Sequence, residues 1–174
     1  LSNAWDVRSL EFLVRGLGVK LLKIGASDIS NLELIRAHAE TGLDLILSVQ
    51  KAGEGQIERA LEAVAGVWQP DSADSLADRL VLLHGPVEFP SAHGDFPLSS
   101  LDETARRFGL GVGFSDHSPG IALPVAAVSR GAPVVKKYFT LDRSLPGPDH
   151  PSSLEPADFR QMVDSIRAVE AALG

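Results

Sequence analysis

Cysteine is absent from the 174-residue chain, which excludes disulfide bonds and thiolate metal ligands and favours a reducing compartment. Long apolar runs are also missing: none approaches the roughly 20 residues that cross a bilayer, and no signal peptide opens the sequence. Basic residues are outnumbered, and the net charge of −7 argues against a broad nucleic-acid surface. These absences predict a cytoplasmic protein without membrane or nucleic-acid partners, in which a few local lysines would hold any anionic substrate.

The rest of the composition is typical of a single folded domain covering residues 1–174. Hydrophobic residues make up 44% of the chain and charged residues 22%, which is ordinary for a globular protein that can bury a core. Five short apolar runs of strand length lack strict polar–apolar alternation, as expected when both faces of a sheet are covered. They are residues 19–24, 43–48, 79–84, 110–114 and 133–137.

Helical patterns lie before the first run and after each of the five runs. Asp6 is the predicted N-cap of the first helix, and Ser100 that of the helix after the third run. Gly42 and Gly131 are predicted to end two helices, and Pro156 suits the first turn of the last one. One helix followed by five strand–helix units predicts a parallel sheet.

Two parallel architectures fit this order of elements. A dinucleotide-binding fold needs a glycine-rich turn after its first strand, whereas Gly16-Leu17-Gly18 precedes the first run. A closed barrel needs eight strand–helix units and about 250 residues. The sheet is therefore expected to be either open or a barrel whose earlier strands are absent from this chain.

Polar residues lie at the end of each predicted strand or directly after it. They are Lys23, Ser48, His84, Ser115-Asp116-His117 and Lys136-Lys137-Tyr138. In a parallel barrel the carboxyl ends of the strands converge on the face that carries the chemistry, so we expect Lys23, Ser48, Ser115 and His117 at one pocket mouth. Structural alternatives remain open for each residue: Lys23 as a rim lysine, Ser48 as a turn cap, and His84 as a core histidine.

Four stretches of the sequence closely resemble the sialic acid synthase family. They are Ser115-Asp116-His117, Phe139 to Arg143, Leu145 to His150 and Ser153 to Pro156. The resemblance covers the whole chain and implies a (β/α)₈ TIM-barrel type fold that is incomplete, with about five of eight units present. It also implies that the family's C-terminal antifreeze-like domain is absent. An incomplete arc exposes strand edges and apolar surface, so we expect a homo-oligomer, a dimer in particular.

The resemblance further implies a reaction and a set of site residues. Members of the family condense phosphoenolpyruvate with N-acetylmannosamine or a related amino sugar and release phosphate. A divalent metal, usually Mn²⁺ held by two histidines, acts there as a Lewis acid on the sugar aldehyde. The matching residues comprise phosphoenolpyruvate contacts, a metal histidine, a carboxylate and two sugar-side residues. Lys23, Ser48 and Ser115 match the phosphoenolpyruvate contacts, and His117 matches the metal histidine. Asp28 matches the carboxylate, and Phe89 and Asp149 match the sugar-side residues. Lys23, Asp28 and His117 are the predicted catalytic residues.

Several positions depart from the family pattern. Tyr138 stands where the family has its second metal histidine, which puts the manganese in doubt, and Lys136-Lys137 replaces a glutamate–lysine pair. Asp28 is one methylene shorter than the usual glutamate, and Asn3 replaces a threonine. Three hypotheses follow: an active synthase with an altered site, a degenerate member or fragment with a binding or assembly role, and an aldolase that uses Lys23 or Lys137 as a Schiff base.

Overall fold

A computed structural model describes residues 1–69 and 76–174 of the chain. The chain divides into two compact units. The first comprises residues 1–83 with 109–111, and the second comprises residues 84–108 with 112–174. Within the described ranges, no helix is long and apolar enough to cross a membrane.

The first unit alternates parallel strands with helices. Its elements are β1 Ser2–Asn3, α1 Val7–Glu11, a π-helical turn Phe12–Gly16, β2 Leu21–Ile24, a 3₁₀ turn Ala26–Asp28, α2 Leu32–Glu40, β3 Asp44–Ser48, α3 Glu54–Trp68 and β4 Leu80–His84. The last residue of β4, His84, belongs to the second unit. The strands pair in chain order, and all of these pairs are parallel. This register places Lys23 between Asn3 and Ile46, near the carboxyl ends of the strands.

Local chemistry explains where the first helices begin and end. The Asp6 carboxylate accepts a hydrogen bond from the Ser9 amide at 2.8 Å, which confirms the predicted N-cap of α1. Asn31 caps α2 in the same way, and Gly42 follows that helix with φ of 71°, a conformation that glycine adopts without a Cβ clash. The helical pattern after Asp6 is not uniform, because the Leu17 amide bonds the Phe12 carbonyl in a π-type turn.

The core of the first unit lies between the strands and helices α2 and α3. Its fully buried side chains include Leu22, Ile24, Ile35, Leu45 and Leu47. Burying a side chain of this size contributes about 1.5–3 kcal/mol, so these residues hold β2 and β3 in place. The same packing positions the polar residues at the ends of those strands.

The second unit contains α4 Ser99–Phe108, β5 Gly111–Asp116, whose first residue belongs to the first unit, α5 Ala122–Ser129, β6 Val135–Lys137, a 3₁₀ turn His150–Ser152 and α6 Pro156–Leu173. β5 and β6 are parallel and pair Ser115 with Lys136 and Asp116 with Lys137. Pro156 opens α6 as predicted. Helix α4 begins at Ser99, so Ser100 lies inside the first turn and the predicted N-cap was wrong.

One glycine of this unit is required by close packing. A Cβ on Gly85 would lie 2.1 Å from the carbonyl oxygen of Ser115, which is shorter than any tolerable contact. The backbone after β4 therefore approaches the end of β5 at a distance that only glycine permits. This contact helps to set the position of Ser115.

Candidate active site

Lys23 is a half-buried cation near the end of β2. Burial lowers the pKa of the Lys23 ammonium, and the charge of the nearby Asp28 carboxylate partly opposes that shift. The structure thus brings two predicted catalytic residues together. A desolvated ammonium is a strong binding group for a compact anion such as a phosphate or carboxylate.

Asp28 occupies the 3₁₀ turn that follows β2. Its Oδ2 accepts a hydrogen bond from the Ser27 hydroxyl at 3.1 Å. The carboxylate also acts electrostatically on His38, a fully buried residue of α2. Its position beside Lys23 suits it to holding that side chain in its charged form.

Two polar side chains at the strand ends of the first unit have buried oxygens without partners. Ser48, 1% exposed at the end of β3, has an Oγ that makes no hydrogen bond within the described residues. The Asn3 Oδ1 at the end of β1 shares this property. Since α3 begins at Glu54 after Gly53, Ser48 does not cap that helix. A buried polar group left unpaired costs about 1–3 kcal/mol, which favours a ligand-binding role over a structural one.

His117 follows β5 in the second unit, with both ring nitrogens near polar atoms. Nδ1 lies 3.1 Å from the Glu88 carbonyl oxygen, to which it donates, and Nε2 lies 3.4 Å from the Ser115 Oγ. This assignment leaves Nε2 unprotonated. Burial lowers the pKa of His117, the bond to Glu88 opposes the shift, and the charge of Lys136 lowers the pKa further. The imidazole is therefore neutral near pH 7, and Nε2 can accept a proton or bind a ligand.

Aromatic rings surround the imidazole of His117. The Phe89 ring centroid lies 5.4 Å from that of His117 and 4.5 Å from that of Tyr138, while Tyr138 and His117 are 5.5 Å apart. The Lys136 Nζ lies 3.3 Å from the Tyr138 ring centroid, a close cation–π contact. Burial, reinforced by the charge of Asp149, raises the pKa of the Tyr138 phenol, which therefore stays protonated. Phe89, Tyr138, His117 and Lys136 are called the aromatic cluster below.

A buried ion pair anchors the segment that carries His117. The Lys137 Nζ lies 2.5 Å from the Asp116 Oδ2, and these side chains are 1% and 0% exposed. Lys137 also donates to the Ser118 carbonyl, and the other Asp116 oxygen accepts from the Ser118 amide at 2.8 Å. A lysine held as an ammonium by a buried carboxylate is unsuited to Schiff-base chemistry, so the structure argues against Lys137 as an aldolase lysine.

His84 packs its ring against aromatic side chains, and its buried Nδ1 has no hydrogen-bond partner among the described residues. Its imidazole makes an edge-to-face contact with Phe96 at 4.9 Å, and Phe96 stacks on Phe114. Burial lowers the pKa of His84, so the neutral ring is favoured. The ring contacts agree with a core position, but the unpaired Nδ1 does not agree with a satisfied core histidine.

Comparison with known proteins decides the family. The sequence matches the model of the NeuB family over residues 1–174. The chain belongs to the NeuB family. It is similar to N,N'-diacetyllegionaminic acid synthase of Legionella pneumophila, with 40% identity over 100% of this chain and 48% of that protein. The resemblance to sialic acid synthases that the sequence indicated is thereby confirmed.

Two solved structures of similar sequence show the same fold. The N-acetylneuraminic acid (sialic acid) synthetase of Leptospira borgpetersenii, in complex with citrate, shares 33% identity at a TM-score of 0.86, over 99% of this chain and 57% of that one. The spore coat polysaccharide biosynthesis protein spsE of Bacillus subtilis shares 31% identity at a TM-score of 0.87, over 99% and 46%. The predicted incomplete TIM-barrel type fold is confirmed, and the chain spans about half the length of the curated relatives it matches.

Among the described residues of this NeuB-family chain, the donor atoms around His117 form an incomplete ligand set for a divalent metal. Within the ranges 1–69 and 76–174, no group of three or more histidine, aspartate or glutamate side chains could hold one. His117 offers one imidazole, but its neighbour Tyr138 is a protonated phenol with a lysine over its face. Manganese ligation by His117 therefore stays a prediction from the resemblance.

The structure groups the predicted site residues of this NeuB-family chain within each unit. In the first unit, Lys23 and Asp28 are neighbours, and Ser48 ends the adjacent strand. In the second unit, Ser115 and Phe89 contact His117, and Asp149 acts on Tyr138. The roles of these residues and their convergence on one pocket stay predictions, as does the homo-oligomer.

Sequence reasoning missed three groups of the second unit. The Glu88 carbonyl that orients His117 carried no signal, because any residue supplies a backbone carbonyl. The cation–π contact of Lys136 depends on side-chain direction, which the sequence does not contain. The Asp116–Lys137 pair could have been found, since two neighbouring predicted strands end in opposite charges.

Proposed function

We propose that this chain belongs to a synthase that condenses phosphoenolpyruvate with N-acetylmannosamine or a related amino sugar. The products are a nonulosonic acid and phosphate. The observation that carries the proposal is the grouping of Ser115, Phe89 and Asp149 around His117 and Tyr138, in a chain that belongs to the NeuB family. The names of the relatives, which are nonulosonic acid synthases, support this reaction class.

The first unit supplies groups suited to phosphoenolpyruvate. The ammonium of Lys23 is partly desolvated and would regain electrostatic stabilisation from a phosphate or carboxylate. The hydroxyl of Ser48 and the amide of Asn3 are polar groups for which a ligand would provide partners. Asp28 would keep Lys23 protonated while the anion binds.

The second unit supplies groups suited to the sugar and to proton transfer. Carbon 3 of phosphoenolpyruvate attacks the sugar aldehyde carbon, water adds at carbon 2, and phosphate leaves from the tetrahedral intermediate. The unprotonated Nε2 of His117 can take the proton that water loses. Phe89 would pack against the sugar ring, and the exposed Asp149 would accept hydrogen bonds from its hydroxyl groups.

The proposal is tested by assaying the purified protein with phosphoenolpyruvate and a panel of N-acetylated amino sugars. Release of inorganic phosphate is measured together with the product mass, which should equal phosphoenolpyruvate plus sugar plus water minus phosphoric acid. Failure to release phosphate with any sugar, combined with failure to bind phosphoenolpyruvate, would favour the non-catalytic alternative.

The variant Lys23→Ala sharpens this test. Loss of a charge-assisted contact worth about 1.5–3 kcal/mol should weaken phosphoenolpyruvate binding roughly 10- to 100-fold in calorimetric titration. Lys20→Ala removes an exposed lysine three residues earlier and is the matched control. Equal affinity in the two variants would remove Lys23 from the site.

A further inference from the structure

The His150 side chain is anchored at the base of an exposed loop of the second unit. The loop comprises residues 141–149, all of which are exposed, and Asp149 is its last residue. The Nδ1 of His150 lies 2.7 Å from the Oγ1 of Thr140, a residue that is 4% exposed. The imidazole therefore joins the two ends of the loop through a buried residue.

The Thr140 side chain is itself held by neighbouring backbone groups. The Thr140 amide donates to the Leu154 carbonyl at 2.9 Å, and the Thr140 Oγ1 donates to the Asp142 carbonyl at 3.1 Å. Because the hydroxyl hydrogen is used in that bond, the Nδ1 of His150 is the donor to Oγ1. A neutral imidazole with its hydrogen on Nδ1 makes this bond, so the anchor does not need a charged histidine.

The His150 ring also packs against the loop backbone at Gly147. A Cβ added to Gly147 would lie 3.0 Å from the Cδ2 and 3.3 Å from the Nε2 of the ring. Glycine thus leaves the space that the ring needs for this approach. The two contacts hold the imidazole between Thr140 and Gly147.

The anchored histidine directly follows Asp149, whose carboxylate acts on the aromatic cluster. The Asp149 carbonyl accepts hydrogen bonds from the Ser153 hydroxyl at 2.7 Å and from the Ser152 amide at 3.3 Å, which close the turn after it. The Asp149 carboxylate lies near enough to Tyr138 to act on the phenol electrostatically. The placement of this carboxylate therefore depends on a turn in which the His150 side chain is bonded to Thr140.

We propose that His150 is a positioning residue: its bond to Thr140 and its packing against Gly147 hold the turn that presents the Asp149 carboxylate to the sugar. This inference rests on the proposed function, in which Asp149 accepts hydrogen bonds from the sugar hydroxyl groups. An exposed loop without an anchor samples more conformations, so its carboxylate would lose more conformational entropy when the sugar binds. His150 acts through Asp149 and does not itself contact the sugar.

Steady-state kinetics distinguish this positioning role from a purely structural one. His150→Ala should raise the KM for the sugar about tenfold and change the KM for phosphoenolpyruvate less than about twofold, because Asp149 is a sugar-side residue. His150→Asn should recover most of this loss, since its side-chain amide nitrogen can replace Nδ1 as the donor to Thr140. His93→Ala, which removes an exposed histidine of the same unit, is the control.

Double variants test whether His150 acts through Asp149. Asp149→Asn should raise the sugar KM at least as much as His150→Ala, and combining the two substitutions should add little to the effect of Asp149→Asn alone. Thr140→Val removes the hydroxyl that His150 bonds and should resemble His150→Ala. Multiplicative effects in the double variant, or equal losses in the KM values for both substrates, overturn the inference.

Trypsin digestion tests the anchor without relying on turnover. Trypsin cleaves after arginine, and Arg143 lies in the loop with its Nε bonded to the Ser153 carbonyl at 3.0 Å, so cleavage there requires the loop to open. His150→Ala and Thr140→Val should speed this cleavage severalfold, whereas cleavage after Arg167 in α6 should keep its rate. Circular dichroism verifies that each variant is folded. An unchanged cleavage rate in folded His150→Ala refutes the inference.

The outcomes separate the inference from the proposed function. Turnover with an unchanged sugar KM in folded His150→Ala refutes the positioning role and leaves the function standing. Absence of turnover by the parent protein with every sugar refutes the function and, with it, the presentation of Asp149 to a sugar. Trypsin digestion then still decides whether His150 holds the turn.

Discussion

The candidate site residues of the two units differ in how their buried polar groups are satisfied. In the first unit, the Ser48 hydroxyl and the Asn3 Oδ1 are buried without partners, and burial disfavours the charged form of Lys23. In the second unit, Asp116 is paired with Lys137 and His117 is bonded to Glu88. Groups left unpaired are stabilised when a ligand arrives, whereas paired groups hold fixed positions. The second unit also buries the unpaired His84 Nδ1, Ser91 Oγ and Ser118 Oγ, so the difference is between particular residues: under the proposed function, Lys23 and Ser48 would bind an anion and His117 would be held in a fixed position.

Removing one partner of the buried ion pair should produce the largest effect on stability. Lys137→Ala leaves the Asp116 carboxylate buried and uncompensated, which should cost about 3–5 kcal/mol in the free energy of unfolding. Urea denaturation measures this loss. The control is Arg130→Ala, which removes a half-exposed pair with Asp102 and should cost less than about 1 kcal/mol. Equal losses would mean that the second unit is not anchored as described.

Disturbing the close contact between Gly85 and Ser115 should have the next largest effect on stability. Gly85→Ala places a methyl group against the Ser115 carbonyl, and the resulting backbone shift should cost about 1–3 kcal/mol and lower the Tm. Gly94→Ala is the control in the same unit, since a Cβ there meets no atom within 4 Å. A parent-like Tm for Gly85→Ala would show that Ser115 is not held by this contact.

A smaller effect separates an unpaired hydroxyl from a paired one. Ser48→Ala removes a hydroxyl that has no partner, so stability without ligand should be unchanged or higher by up to about 1 kcal/mol, while phosphoenolpyruvate binding weakens. Ser153→Ala breaks the 2.7 Å bond to the Asp149 carbonyl and should destabilise by about 1 kcal/mol. The Tm of the Ser48→Ala and Ser153→Ala variants, measured with and without phosphoenolpyruvate, compares the two effects. Destabilisation by Ser48→Ala in the absence of ligand would contradict the ligand-binding interpretation.

Acid should weaken the first unit through His38. Burial lowers the pKa of this fully buried imidazole below its ordinary value of 6.5, and the Leu34 carbonyl, 2.8 Å from Nδ1, and the Asp28 charge only partly oppose the shift. A folded pKa below the unfolded one means that the neutral form stabilises the fold above pH 6.5 and that this contribution is lost as pH falls. The loss is at most about 1.4 kcal/mol per pH unit. His38→Gln should flatten the stability profile between pH 7 and 5, and exposed His93→Gln should leave it unchanged.

Much of the fold could be predicted because its signals are local. The five apolar runs contain β2, β3, β4 and β6 and all of β5 except its last two residues, since residues buried on both faces of a parallel sheet must be apolar over most of a strand's length. Asp6, Gly42 and Pro156 mark helix ends because capping and backbone conformation depend on a few neighbouring residues. The two-residue strand β1 gave no such signal, because its pairing with β2 depends on contacts distant in sequence.

The candidate site was predictable in its residue types but not in its pairings. Polar residues after apolar strands identified Lys23, Ser48, Ser115 and His117, because their position in a parallel sheet follows from chain order. The hydrogen-bond and ion-pair partners of these residues could not be predicted from chain order. The position of Lys136 over Tyr138 depends on rotamers and packing that no spacing encodes.

The sequence by itself determined the family, the parallel alternation of strands and helices, and the residues at the strand ends. Tertiary structure alone decided which of those polar groups are satisfied: Lys137 by Asp116, His117 by Glu88, and Ser48 by no described residue. The physical reason is that hydrophobic pattern and capping act over a few residues. Hydrogen bonding and desolvation depend instead on distances of a few ångströms between strands and loops far apart in the chain.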